Sequence, residues 1–201
     1  MGRVGVAAMR LPLPFARSAM AWALALCAML SPAAAATAWR IDPAHTNVGF
    51  EVDAIGFPQT KGHFSKFVGQ LTLDLDHPEH CRVAFQVAAA SVDVGSPSFN
   101  EYLRSEAFFD VAKHPDIEFA STSVKVVDPN HAEVTGDLTL RGVTRSFVIA
   151  VVVDAVPKSG ARRLGFTATG TIPRLAFGMA AGFPAISNNV ALIVTTSALA
   201  Q

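Results

Sequence analysis

The chain has 201 residues, 16 of them basic and 16 acidic, and no net formal charge. Such a balance offers no basic footprint for nucleic acid and little attraction to an anionic membrane surface, so partners should be neutral or apolar. Its length suits one domain with a substantial core and is too short for two ordinary ones once a leader is set aside.

The first predicted element is that leader. Arg3, Arg10 and Arg17, with no acidic residue among them, run into an apolar stretch from Ala19 to Leu30, the shape of a secretory signal peptide. The stretch is about 12 residues where roughly 20 are needed to span a bilayer, and Ser31 and Pro32 end it, so a retained anchor is not expected. Ala36 and Ala38 flank Thr37 in the A-x-A arrangement a signal peptidase reads, which puts the cut just before Trp39, with the run Ala33 to Ala36 as the nearby alternative. Residues 1–38 are therefore read as a signal peptide and 39–201 as the mature domain. Removal of the leader leaves 13 basic and 16 acidic residues. Cys27 leaves with it, so Cys81 has no cysteine to bridge with inside the mature chain, and stability must come from packing. Cys81 itself reads as a small buried hydrophobe at the start of a strand.

From there the pattern is strand after strand, with apolar residues at every second position and segments punctuated by Gly, Pro, Asn and Asp. Val48, Phe50 and Val52 share one face. After a turn around Pro58, Leu71, Leu73 and Leu75 alternate with Gln70, Thr72 and Asp74, and then Val83, Phe85, Val87 and Ala89 with Arg82 and Gln86. The alternation breaks between Ser98 and Val111, where Leu103, Phe108 and Phe109 suit one short helix or helical turn. Further strands are expected at Ile117 to Val126, Ala132 to Leu140, Thr144 to Val153, Arg163 to Ile172 and Val190 to Ala198. Arg141 and Gly142 mark a tight hairpin between two of them. The strand from Phe147 to Val153 is apolar on both faces and is expected to be buried on both.

About eight antiparallel strands is the number that closes into a small barrel, which removes the exposed edges an open sheet would present. The expected fold class is all-β, an eight-stranded antiparallel barrel with one short helix; a two-sheet sandwich is the alternative. The chain holds 14 Phe against one Tyr and two Trp, and Phe fills or lines a dry space without asking for a polar partner. Val48, Phe50, Val52, Phe64, Phe67, Phe85, Phe119, Phe147 and Phe166 are the candidate lining of such a space. An ordinary solid core accounts for the same pattern, and alternation does not say which face points inward.

Five blocks resemble the YceI-like polyisoprenoid-binding family. They are Trp39, Ile41, Asp42 and His45 to Phe50; Gly62, Phe64, Phe67 and Gly69; the stretch from Glu101 to Thr122; Gly136 to Arg145; and Gly165, Phe166, Ile172, Arg174, Phe177 and Gly178. The resemblance implies a lipocalin-like eight-stranded barrel exported to the periplasm. It also implies an isoprenoid or other long-chain lipid in the bore, such as a quinone tail or a polyprenyl diphosphate, and neither catalysis nor a cofactor. His45, Tyr102, Arg104 and Arg174 are the candidate head-group contacts. The chain departs from the family pattern at Ala54 and Tyr102, where many members have histidine, and at Leu175 and Ala176, where they have Ser-Asp. A more apolar mouth favours a neutral ligand over a diphosphate.

The competing reading is a metal-binding or hydrolytic protein using His77, Glu79, His80 and Cys81, residues of ligand type in a polar stretch that also reads as a plain solvated turn. No nucleophile elbow or zincin spacing is present. A docking protein for a membrane redox partner is a third reading. A transient membrane-protein partner and a homodimer through apolar outer strips are both compatible with the barrel.

Overall fold

The computed structural model describes residues 37–74, 77–154 and 162–201. Nearly all of the expected leader, and Leu75, lie outside the described residues. Within them the chain forms β1 (Thr37–Ile41), β2 (Asn47–Ala54), β3 (Phe57–Phe64), β4 (Phe67–Leu73), β5 (Arg82–Ala88) and β6 (Val92–Asp93). After these come α1 (Pro97–Arg104), β7 (Asp116–Asp128), β8 (His131–Leu140), β9 (Val143–Val153), β10 (Arg163–Pro173) and β11 (Ile186–Ala200).

Every pairing is antiparallel, and β1, β4, β5, β7, β8, β9, β10 and β11 follow one another around a ring. The ring closes where β1 meets β11, with Trp39 opposite Ala200 and Ile41 opposite Ala198. The fold is a closed eight-stranded antiparallel barrel with one helix. Three of its strands are interrupted, so β2 continues β1 along β11, β3 continues β4, and the short β6 continues β5 beside β3.

Local chemistry places the interruptions. Pro43 cannot donate to a ladder, and Asp42 accepts a bond from the Ala44 amide, so the chain makes a single 3-10 turn at Pro43–His45 before resuming as β2. Pro58 is not at a turn, as its residue type led us to expect. It sits inside β3 where the register shifts between Val52 and Ala54, a bulge that needs no amide from it. The chain reverses instead at Ile55 and Gly56, the latter with φ of +78°.

The hairpin between β8 and β9 matches its expected position. Arg141 and Gly142 both have positive φ, +54° and +71°, as a two-residue turn of this hand requires. A Cβ on Gly142 would also come within 2.7 Å of the His114 ring. Gly142→Ala should therefore cost about 1–2 kcal/mol, read as a lower urea midpoint at unchanged slope.

The outer face of β9 corrects the expectation of two buried faces. Val148 and Val152 point outward and are 54% and 43% exposed; one side of a barrel wall meets solvent, and β-branched residues suit a strand there as well as inside. The inner faces pack in three groups. Val48, Phe64, Val87, Val92, Leu103 and Phe108 close one end beneath α1. Phe119, Val134, Leu138, Leu140, Phe147, Phe177 and Met179 form one wall, and Trp39, Ile41, Leu71, Leu164 and Ala198 line the β1–β11 seam.

Candidate functional site

The groups leave the axis of the barrel hollow. A cavity of about 470 Å³ runs through it, within the range of pockets that bury a small organic ligand. Every strand of the ring supplies apolar lining: Ile41, Leu71, Phe85, Phe119, Leu138, Phe147, Phe166 and Leu192 are one residue from each. Of the nine predicted lining residues, Val48, Phe50, Val52, Phe64, Phe85, Phe119, Phe147 and Phe166 face the cavity. Phe67 does not; its ring stacks on Phe85 at 5.8 Å between centroids, behind the lining. Gly136 gives Phe119 its place, since a Cβ there would stand 2.5 Å from that ring.

Arg174 lies at the end of the bore where β10 finishes. It is 2% exposed and lines the cavity. Its Nε donates to the Ser187 carbonyl at 2.7 Å, Nη1 to the carbonyls of Met179 and Ala181, and Nη2 to that of Ile186 at 2.8 Å. Four of its five N–H groups thus go to the loop before β11 and to the first two residues of that strand. Burial pulls the guanidinium below its ordinary pKa, and among the described residues no carboxylate forms an ion pair with it.

The other three predicted head-group residues stand away from the cavity lining. His45 is exposed and bonds through Nδ1 to Asp42 Oδ2 at 2.8 Å, which chiefly holds that carboxyl below its ordinary value. Tyr102 is exposed on α1, its ring 5.1 Å from and edge-on to Phe108. Arg104 reaches back to the Val92 carbonyl at 3.2 Å. Of the positions that depart from the family pattern, Ala54 pairs with Phe57 beside the reversal. Leu175 donates its amide to Asn188, and the Ala176 carbonyl accepts from Arg145.

The opposite end of the bore is polar. Asp74, Pro78 and Cys81 line it, together with Asp128, Pro129, Asn130 and His131 from the β7–β8 turn. Asp128 accepts bonds from the amides of Asn130 and His131 and pairs with the His131 ring at 2.8 Å; the ring bond chiefly keeps its carboxyl below the ordinary range. Asn130 ties this turn to the Val153 carbonyl. Cys81 is buried, its Sγ held between the Asp74 amide and carbonyl at 3.3 and 3.4 Å. Sequence reasoning reached part of this rim through His77, His80 and Cys81 but passed over Asp74 and the Asp128–His131 turn, although an Asp-x-x-His spacing marks both, as it also does Asp42 and His45 elsewhere.

Comparison with known proteins agrees with the architecture. The family model of the YceI-like domain matches residues 39–198. A UPF0312 protein of Ectopseudomonas mendocina is 34% identical over 159 residues, covering 78% of this chain and 83% of the relative. Protein YceI of Shigella sonnei is 32% identical over 172 residues, covering 84% and 90%. Among solved structures, Burkholderia cenocepacia BcnA superposes with a TM-score of 0.72 at 23% identity, over 78% of this chain and 98% of that one. A polyisoprenoid binding domain from Saccharophagus degradans does so with 0.65 at 16% identity, over 82% and 99%. The chain belongs to the YceI-like family.

Proposed function

We propose that the protein is a non-catalytic carrier that holds the tail of a long apolar lipid, an isoprenoid such as a quinone or polyprenyl chain, inside the barrel. The observation that carries this reading is the cavity itself, walled between its two polar ends mainly by apolar side chains from every strand of the ring. Each methylene moved there from water is worth about 0.8 kcal/mol, so a long tail binds well with few polar contacts. The solved polyisoprenoid binding domain from Saccharophagus degradans, which shares this fold, supports the same ligand chemistry.

The head group on this reading is neutral. Arg174 is the cation at its end of the bore, and backbone carbonyls already take four of its five N–H groups, leaving little to offer a diphosphate. Native mass spectrometry of gently purified protein, followed by organic extraction, should reveal a bound isoprenoid with a neutral head. A polyprenyl diphosphate would reject the head-group assignment, and protein carrying no hydrocarbon chain from any lipid-rich source would reject the carrier.

Export to the periplasm, with the leader removed, completes the proposal. Thr37 and Ala38 pair with Leu73 and Thr72 on β4, and Ala38 accepts a bond from the Gln201 amide. A cut after the run Ala33 to Ala36 keeps these bonds, whereas one before Trp39 removes them. The first residue of the secreted protein, read by N-terminal sequencing, should accordingly be Thr37.

A further inference from the structure

The polar rim contains a cluster that lipid binding does not use. Asp74 is buried at the end of β4, and the 3-10 turn at Pro78–His80 folds back over it. His77 Nδ1 stands 3.5 Å from Asp74 Oδ1, and His80 Nδ1 stands 3.3 Å from Oδ2. The two imidazole rings face each other 5.3 Å apart. One ligand atom from each of the three residues can be chosen so that all lie within 4.8 Å of one another.

We infer that Asp74, His77 and His80 form a binding site for a divalent transition-metal ion of the zinc class at the rim of the bore. Two imidazoles and one carboxylate are a donor set suited to such ions. Nitrogen and oxygen ligands about 2.1 Å from a tetrahedral ion stand roughly 3.4 Å from each other, the separation seen here between each ring and the carboxylate. The turn is built to present them. Asp74 Oδ1 accepts the His77 amide at 3.0 Å, and Cys81 Sγ grips the Asp74 backbone, so the carboxylate is oriented before any ion arrives.

The two other Asp-x-x-His pairs show what this one adds. Asp42 with His45 and Asp128 with His131 each bring one ring to a carboxylate; only at Asp74 does a second ring, His80, reach the same group among the described residues. Glu79 and Cys81, part of the sequence-predicted cluster, are not in the donor set, and Asp74 takes their place. Three protein ligands leave room for water or for an oxygen of a bound molecule.

Isothermal titration of ZnCl2 into untagged, EDTA-treated protein tests the assignment, together with the visible absorption of the Co2+ form. One ion per chain is expected, with d–d bands from nitrogen and oxygen ligands and a raised Tm in Zn2+. His77→Ala and His80→Ala should each weaken binding by more than about tenfold, since even outer-shell changes cost about 10–100-fold. The rings are exposed, so both variants should keep the Tm of the metal-free protein, while His45→Ala and His131→Ala should titrate like the parent. Absence of binding by the parent protein, or binding that survives the double replacement of His77 and His80, would overturn the site. Lipid content does not enter either result, so failure here leaves the carrier proposal standing.

Discussion

Arg174→Met should destabilise the ligand-free barrel by about 3–5 kcal/mol, the largest effect expected of any single replacement considered for this protein. Methionine matches the apolar stem in length and fills the same space, so packing is largely kept. What goes is the set of four bonds that gather the Met179, Ala181, Ile186 and Ser187 carbonyls around one guanidinium. Each buried carbonyl left without a donor costs about 1–3 kcal/mol, reduced where water can enter. Arg174→Lys should recover only part of the loss, because a compact ammonium cannot reach carbonyls spread on several sides. Urea denaturation of delipidated protein measures both. A loss under about 1 kcal/mol for the methionine variant would mean that the loop holds its shape without the arginine.

Ala168→Phe should empty the barrel of lipid while leaving it at least as stable. Ala168 is buried on β10, opposite Val151 and Val194, and faces the cavity. A ring added there enters the bore and occupies space that a hydrocarbon chain would need, so lipid recovered per mole of protein should fall more than about tenfold, a loss of roughly 1.4 kcal/mol or more in binding. In a solid core the same change would overpack and cost about 1–3 kcal/mol. In a hollow one the new ring gains buried apolar area, which favours folding. Extraction and denaturation on one preparation separate the cases. A destabilised variant that still carries lipid would show that the tail lies elsewhere.

The alternation of apolar and polar residues was enough to find the strands, because a barrel wall imposes a period of two wherever it has an inside and an outside. It could not say which face was which, and the outward valines of β9 are the instance where composition misled. Val148 and Val152 looked like the mark of double burial but are only strand formers on an outer face. Eight of the nine residues proposed as lining, six Phe and two Val, stand on the cavity wall, spread over six strands. Phe67 has the right parity and is still displaced, since Phe85 covers it.

The polar features were harder to read for a different reason. Arg174 resembles any surface cation until residues 179–187 are seen to wrap around it. In the alternation Asp74 shares the polar parity of Gln70 and Thr72, yet it falls just past β4 and is buried. Only the return of the chain through Pro78 brings His77 and His80 over it. Both depend on contacts made by irregular backbone, and periodicity carries no information about those.

The place where the ring closes has a bearing on how the protein comes into being. Residues 39–41 bond to residues 198–200, so the strands that close the ring cannot meet until residue 200 has left the ribosome. Neighbouring hairpins can form early, but the final joint waits on a loop of maximal length, the kind of long-range contact that makes folding slow. The β1–β11 seam is therefore the joint that forms last, after the seven other joints of the ring have had the chance to form.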